Sequence, residues 1–189
     1  MKKYLALIGI SCFLIMTGAF MLLSILRSQQ SQQFIAAPPT HKVNQSATQA
    51  DSVHGQPSEL ILPSLNLDLP VVPGVYNPQT KTWTLTLDKV QYASETPEPN
   101  TISGNTFIYG HYRKGVLATL HTIQPNAEAV VKTSNGHSFY YQLVNVRTTD
   151  PADASVFQYA GKPILTIQTC TGLFFQNRQL FTFNLVRAV

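Results

Sequence analysis

The chain has 189 residues, of which 44% are hydrophobic and only 12% are charged. This composition supplies enough apolar residues for one packed domain with appendages, and it excludes disorder throughout. Thirteen basic and nine acidic residues give a net charge of +4, but Lys2, Lys3 and Arg27 all flank one apolar stretch. The rest of the chain is nearly neutral, so it lacks the basic surface that nucleic-acid binding requires.

The first predicted element is a transmembrane signal-anchor within residues 1–27. No charged residue occurs from Tyr4 to Leu26, a stretch long enough as a helix to cross a hydrocarbon core of roughly 30 Å. Lys2 and Lys3 favour a cytoplasmic N-terminus, which predicts a single-pass protein of the cell membrane with an extracellular domain. The competing interpretation is a cleaved secretory signal, whose apolar region is normally about 7 to 15 residues. Both interpretations export the domain.

Residues 28–57 predict a flexible linker, because they are rich in Gln, Ser, Ala, Thr and Pro and have no apolar periodicity. Residues 58–189 predict the folded domain, in which short apolar runs alternate with turn residues. The predicted strands, in chain order, are 59–62, 67–72, 83–87, 105–109, 127–133, 138–146, 164–169 and 178–186.

Short helices are predicted only at residues 88–93 and 116–121. A hairpin turn is predicted at residues 134–136, whose sequence is Ser-Asn-Gly. Parallel strands need crossover connections of about a dozen residues or more, usually helical. So many short strands without long helices therefore predict a mainly all-β domain, either a closed, largely antiparallel barrel or a sandwich.

Three reactive side chains stand at the ends of predicted strands. His111 follows strand 105–109, Cys170 follows strand 164–169, and Arg178 opens the last strand. A thiolate is a nucleophile, imidazole exchanges protons near neutral pH, and a guanidinium can hold a carbonyl oxygen or oxyanion. The short segment between Cys170 and Arg178 predicts neighbouring strands, with both side chains at one end of the sheet. If the domain is a barrel, we expect the three groups to meet at one of its mouths. The other cysteine, Cys12, lies in the predicted membrane helix, so the domain has no internal disulfide.

The residues around these positions resemble those of a known family. Thr166-Ile167-Gln168-Thr169-Cys170, followed by Arg178, resembles the sortase signature Thr-Leu-x-Thr-Cys with its downstream Arg. Residues 104–111 resemble the sortase segment that ends in Gly-His, and residues 117–120 resemble the short helical turn that follows it. Residues 61–71 are similar to the opening strands of the family, so the resemblance covers about residues 59–189.

The resemblance implies an eight-stranded sortase-like β-barrel with one or two short helices and the activity of a cysteine transpeptidase, a thiol protease-like hydrolase and acyltransferase. Cys170 would attack the Thr carbonyl of a Leu-Pro-x-Thr-Gly-like sorting signal in an exported protein. His111 would act as acid and base, Arg178 would hold the carbonyl or oxyanion, and Thr169 is a candidate substrate contact. The acceptor amine would come from a lipid-linked cell-wall precursor or a pilin lysine on a Gram-positive-type surface. The short loop after Cys170 is similar to that of class D, E or F members.

No cofactor is expected. Glu95, Glu98, Asp150 and Asp153 lie in segments that are similar to the loops in which some sortases bind calcium. Calcium takes about six to eight oxygen ligands, and carboxylates on two separate loops are more often simply solvated. The sequence therefore predicts no metal site.

Two alternatives remain open at the level of sequence. An L,D-transpeptidase is also exported, rich in β-strands and dependent on Cys, His and Arg, but that family has Ser-x-Gly-Cys followed closely by Arg. In this chain Gln168-Thr169 precede Cys170, and Arg178 lies farther downstream. The other alternative is a membrane-tethered, non-catalytic binding module in which Cys170 is part of the core.

Overall fold

The structure is a computed structural model that describes residues 52–80 and 82–189. The predicted membrane anchor and nearly all of the predicted linker lie outside these residues. Within the described residues, no helix has the length and apolar character needed to cross a bilayer.

The described residues form ten strands and three short 3-10 helices. The strands are β1 (Pro57–Leu62), β2 (Leu67–Gly74), β3 (Tyr76–Asn77), β4 (Thr82–Trp83), β5 (Val90–Ala93), β6 (Asn105–Tyr109), β7 (Glu128–Thr133), β8 (Ser138–Thr149), β9 (Ile164–Thr171) and β10 (Asn177–Ala188). The 3-10 helices are Pro63–Leu65, Ala118–Thr122 and Ser155–Phe157.

Eight of the strands close into a barrel, as the family resemblance implies. Their order around the barrel is β1-β2-β5-β6-β9-β10-β8-β7, and β3 and β4 form a separate two-stranded sheet. Most neighbours are antiparallel, but β2 with β5 and β6 with β9 are parallel pairs. The long connections that parallel strands require are made here by irregular segments and other strands instead of a crossover α-helix.

The barrel interior is filled by alternate residues of the strands. Leu165 and Ile167 of β9 are fully buried, and so are Phe181 and Phe183 of β10, each 0–1% exposed. This alternation follows from the period of two in a strand, which directs successive side chains to opposite faces. The closed barrel and its core lie entirely within residues 57–188, which therefore contain the contacts of a self-supporting domain.

Two predicted elements between β4 and β6 are wrong. Predicted strand 83–87 contributes only Trp83 to the small β3–β4 sheet, and the predicted helix 88–93 contains strand β5 (Val90–Ala93), which supplies the eighth barrel strand. All four β5 residues are buried, because Val90 and Tyr92 pack in the barrel core and Ala93, on the outer face, belongs to the buried cluster that Trp83 packs against. This packing overrides the weak local preference for a helical turn.

Two other local predictions hold. The chain makes a 3-10 helix at Ala118–Thr122, close to the helix expected at residues 116–121. Residues 134–136 make the turn between the antiparallel strands β7 and β8. Gly136 has a φ of +92° there, which a residue with a side chain rarely adopts.

Candidate active site

Cys170 and Arg178 face each other across neighbouring strands. They are Cα partners in the antiparallel β9–β10 pair, as the short segment between them predicts. Both residues are partly exposed, and both lie where their strands meet the β9–β10 loop. The backbone therefore sets Cys170 and Arg178 opposite each other at one end of the barrel.

The side chains of this site lie on the outer surface of the barrel. In β9, Leu165, Ile167 and Thr169 are buried at 0–1% exposure, whereas Gln168 and Cys170 are partly exposed. Because successive side chains of a strand alternate between faces, Cys170 points away from the interior. The expectation of a site in the mouth of the barrel is therefore corrected: the site is near that end, but on the outside.

His111 follows β6, which is the other neighbour of β9. Tyr109 is the Cα partner of Gln168 in this parallel pair, and the Gly110 N–H donates to the Gln168 carbonyl at 3.1 Å. Continuing this register by two residues sets His111 level with Cys170. His111 is half-buried, and its carbonyl accepts hydrogen bonds from Arg113 and Leu117, which define the backbone turn after β6.

The three candidate catalytic residues thus lie at the ends of adjacent strands, with His111 just after β6, Cys170 in β9 and Arg178 in β10. Cys170 and Arg178 line a groove on the outer surface of the barrel, and His111 lies outside the lining of this groove. Arg178 Nη1 donates to the carbonyls of Phe175 and Asn177, each at 3.1 Å. These bonds anchor one guanidinium nitrogen, and a planar guanidinium has further N–H donors for a substrate oxygen.

Thr169 has a structural role in addition to its place beside Cys170. Its side chain is 1% exposed, and its hydroxyl donates to the Gly110 carbonyl at 3.1 Å. This bond ties the end of β6 to β9, next to His111 and Cys170. The burial favours a positioning role for the hydroxyl over the direct substrate contact expected from the sequence.

A groove of about 410 Å³ runs over the outer surface beside Cys170. Strands β6, β9 and β10 form its floor, one wall comes from the β3–β4 region, and the other comes from the segment between β8 and β9. Its lining residues include Tyr76, Thr82, Trp83, Leu85, Phe107, Tyr109, Gly110, Pro151, Asp153, Val156, Phe157, Gln168 and Thr169. A groove of this volume is in the usual range for a ligand site.

An aromatic cluster joins the two walls of the groove. The Trp83 ring stacks on Phe157 with centroids 5.5 Å apart and an interplanar angle of 4°. Trp83 also contacts Tyr76 at 5.3 Å and Tyr109 at 5.4 Å, both between centroids. These contacts pack the β3–β4 sheet and the helix Ser155–Phe157 over the floor, so the groove near Cys170 has an apolar, aromatic surface.

Tyr109 also fastens the first wall through a hydrogen bond. Its hydroxyl donates to the Thr84 carbonyl at 2.8 Å. Burial raises the pKa of Tyr109 far above its ordinary value, so the phenol keeps the proton that it donates. A Cβ on Gly74 would lie 2.1 Å from this hydroxyl, which explains why glycine occupies that position in β2.

The second wall is organised around the carboxylate of Asp153. One oxygen accepts hydrogen bonds from Arg147 at 2.6 Å and from Thr149 at 2.7 Å, and the other accepts from the Ser155 N–H at 2.8 Å. Hydrogen bonds from Ser155, Thr149 and Arg147 lower the pKa of Asp153 well below its ordinary value of 3.8. The charged carboxylate therefore joins β8 to the helix that carries Phe157.

We expect Asp153→Asn to destabilise this wall and to remove a pH dependence of stability. Because folding lowers the pKa of Asp153, its contribution is fully present above pH 3.8 and is lost as the pH falls below that value toward the folded pKa. In thermal melts across the acid range, the melting temperature of wild type should exceed that of Asp153→Asn at pH values above 3.8. The difference should shrink as the pH falls below that value. Asp150→Asn is the matched control, and an equal effect of both substitutions would contradict the assignment.

The four carboxylates considered for calcium serve separate local roles. Glu95 accepts a hydrogen bond from the Tyr76 N–H at 3.3 Å, and Glu98 lies 3.8 Å from His54. Asp150 accepts from the Ala152 N–H at 2.7 Å, and Asp153 is the carboxylate of the wall. Among residues 52–80 and 82–189, no three His, Cys, Asp or Glu side chains are grouped closely enough to hold a metal ion.

Sequence reasoning missed the walls of the groove. Trp83 was expected in a barrel strand, and Phe157 lies in a segment without a predicted element. For Phe157 the available signal was a large aromatic residue in a segment that does not fit the strand pattern, whereas Trp83 opens a run that does fit it. Such residues need a packing partner, and here each one is the partner of the other.

Comparisons with known proteins agree with this architecture. The family model described as "Sortase domain" matches residues 60–186. Sortase E1 from Streptomyces coelicolor, solved with a tripeptide in the active site, is 21% identical with a TM-score of 0.56, covering 71% of this chain and 90% of its own.

Two further solved structures come from other sortase types. Pilus island 1 sortase C2 of group B Streptococcus is 20% identical with a TM-score of 0.56, covering 71% of this chain and 76% of its own. Sortase A from Corynebacterium diphtheriae is 14% identical with a TM-score of 0.56, covering 71% and 62%. No curated protein matches the chain. The family match over most of the folded domain shows that the chain belongs to the sortases, a family of cysteine transpeptidases.

Proposed function

We propose that this sortase cleaves a Leu-Pro-x-Thr-Gly-like sorting signal between Thr and Gly and transfers the acyl group to an amine. The observation that carries the proposal is the pairing of Cys170 with Arg178 on the floor of the groove. The β6–β9 register supports His111 as the third member of the site. Family membership argues against the L,D-transpeptidase alternative.

In the first half-reaction, the Cys170 thiolate attacks the Thr carbonyl carbon and forms a C–S bond. The carbonyl electron pair moves onto oxygen, where the Arg178 guanidinium stabilises the negative charge. The C–N bond to Gly then breaks, and His111 gives its proton to the leaving amine. The product is a thioacyl-enzyme and the released C-terminal peptide.

In the second half-reaction, the acceptor amine attacks the thioester carbon and gives a proton to His111. The C–S bond breaks, the new amide forms, and Cys170 leaves as the thiolate. The acceptor is an amine of a lipid-linked cell-wall precursor or a pilin lysine. We place the enzyme in the cell membrane with its catalytic domain outside, where exported proteins and lipid-linked precursors meet.

The groove supports recognition of an apolar peptide. Trp83 and Phe157 stack on each other over the buried rings of Phe107 and Tyr109, and this cluster gives one end of the groove an apolar, aromatic surface. A closed barrel has no free strand edge with which a peptide could pair, so side-chain pockets must supply most of the binding. The apolar residues of the sorting signal would occupy this aromatic end of the groove, with the scissile Thr carbonyl at Cys170.

The direct test is to detect the acyl intermediate and its partition between acceptors. Residues 52–189 would be incubated with a sorting-signal peptide and analysed by mass spectrometry for an acyl adduct on Cys170. Diaminopimelic acid and a pilin-like lysine peptide would then compete as acceptors. An adduct that either amine resolves into a new amide supports the proposal, whereas cleavage without an adduct on Cys170 would refute it.

Arg178→Lys is expected to lower kcat/KM by at least about tenfold, because a single ammonium does not reproduce the planar array of donors. The loss should fall mainly on kcat, since the donors act on charge that develops in the transition state. Arg187→Lys is the matched control: Arg187 lies on the same strand but stacks over the Tyr140 ring at 3.4 Å. Equal activity of Arg178→Lys and wild type would remove Arg178 from the mechanism.

A further inference from the structure

The β9–β10 loop beside Cys170 presents three consecutive apolar side chains to solvent. Leu173 is 90% exposed, Phe174 is 87% exposed and Phe175 is 52% exposed. The loop has its own internal hydrogen bonds: the Phe175 N–H donates to the Gly172 carbonyl at 3.1 Å, and the Phe174 N–H donates to Gln176 Oε1 at 2.9 Å. A defined turn thus directs apolar groups outward, at the cost of exposing them to water.

The loop after β6 extends this apolar surface. The Tyr112 ring lies 5.6 Å from the Phe175 ring, between centroids, and is itself 36% exposed. We call Tyr112, Leu173, Phe174 and Phe175 the apolar tip. The tip joins the loop that follows Cys170 to the loop that follows His111, so it borders the candidate active site.

Two cations stand directly beside the apolar tip. Arg113 and Lys114 are exposed, and neither forms an ion pair with another described residue. No acidic residue occurs in segments 110–124 or 171–178.

The acidic groups nearest along the neighbouring strand offset this charge only in part. Thr149 of β8 is the Cα partner of Arg178, so the segment after β8 lies next to the tip. It contains Asp150, which accepts a hydrogen bond from the Ala152 N–H, and Asp153, which is paired with Arg147. The surface around the tip therefore combines exposed apolar groups with a local excess of positive charge.

We propose that the apolar tip, with Arg113 and Lys114 beside it, inserts into the headgroup region of an anionic lipid bilayer. Apolar and aromatic side chains flanked by cations are the typical composition of interfacial membrane contacts, because the cations meet anionic headgroups while the apolar groups enter the acyl boundary. The predicted N-terminal anchor would concentrate the domain at the same bilayer. The tip then orients the domain, so that the groove at Cys170 opens along the membrane surface.

This proposal does not depend on the catalytic roles of the nearby residues. Binding is measured by sedimentation of residues 52–189 with vesicles, either mixed phosphatidylcholine–phosphatidylglycerol or pure phosphatidylcholine. We expect the mixed vesicles to bind the domain more tightly, and added salt to weaken that preference. Cys170→Ala should bind as wild type does, which separates this test from the test of catalysis.

Two double variants and a control locate the contact. Leu173→Ser with Phe174→Ser should weaken binding to mixed vesicles by at least about tenfold. Arg113→Gln with Lys114→Gln should remove most of the preference for anionic lipid. Ile102→Ser with Val186→Ser is the control, because these side chains are also exposed, at 65% and 63%, but lie toward the opposite end of β6 and β10.

The proposal is overturned if wild type does not bind mixed vesicles, or if the Leu173 and Phe174 variant binds them as wild type does. A third result would be unchanged vesicle binding by this variant together with slower peptide cleavage in lipid-free solution. That result would also overturn the proposal and would assign the tip to the peptide substrate.

Discussion

Cys170→Ala is expected to abolish cleavage of a sorting-signal peptide while the domain remains folded. No other side chain on the groove floor offers a thiolate. Loss of the Cys170 thiol therefore removes the covalent pathway altogether and does not simply slow it. The Cys170 side chain is partly exposed on the outer surface, so truncation leaves no large cavity in the core. Peptide cleavage measured by chromatography should fall to background, with an unchanged melting temperature.

A labelling experiment gives this prediction a matched control. The sequence has two cysteines, and Cys170 is the one within residues 52–189. Modification of this domain by a methanethiosulfonate reagent therefore reports on Cys170 alone. We expect rapid labelling at neutral pH and a parallel loss of activity. Cleavage that persists in Cys170→Ala, or in fully labelled enzyme, would show that the reaction does not use the Cys170 thiolate.

His111→Ala is expected to lower kcat/KM by about 10²- to 10⁴-fold, the usual contribution of a positioned general acid and base. The β6–β9 register, extended by two residues beyond Tyr109, brings His111 level with Cys170, where we expect imidazole to give a proton to the leaving amine and take one from the acceptor. The substitution should also flatten the dependence of kcat/KM on pH, which a purely structural role would not change.

His137→Ala is the control for this prediction. His137 lies beside the β7–β8 turn, at the end of the barrel away from Cys170, and its replacement should leave the pH profile intact. A loss of only a few-fold in His111→Ala, with an unaltered pH profile, would leave His111 a positioning residue. Its backbone carbonyl already accepts two hydrogen bonds in the turn after β6.

The local pattern of residues predicted most of the barrel strands. Strands β6, β7, β8, β9 and β10 were expected within a few residues of their observed bounds, because alternating apolar residues between turn signals leave little choice of structure. The sequence also placed Cys170 and Arg178 on neighbouring strands. A short connection between two strands favours a hairpin, so this pairing is a local property of the chain.

Strand β5 and the β3–β4 sheet were decided by tertiary structure. Residues 88–93 have no strong local preference for helix or strand. They form a strand because residues 90–93 pair with β2 on one side and with β6 on the other. Residues 84–87 pair with no barrel strand; the Tyr109 hydroxyl holds them at the Thr84 carbonyl instead. Long-range contacts of this kind leave no periodic signal in the sequence.

The sequence by itself determined the family resemblance, the all-β class and the choice of three candidate catalytic residues, because these depend on residue types and short spacings. Only the tertiary structure decided that Cys170 and Arg178 line the outer surface of the barrel instead of its mouth. The physical reason is the alternation of side chains along β9: Ile167 and Thr169 enter the packed interior, and this commits Cys170 to the opposite face. The aromatic walls are likewise a tertiary property, since Trp83 and Phe157 meet only when distant segments fold over the same three strands.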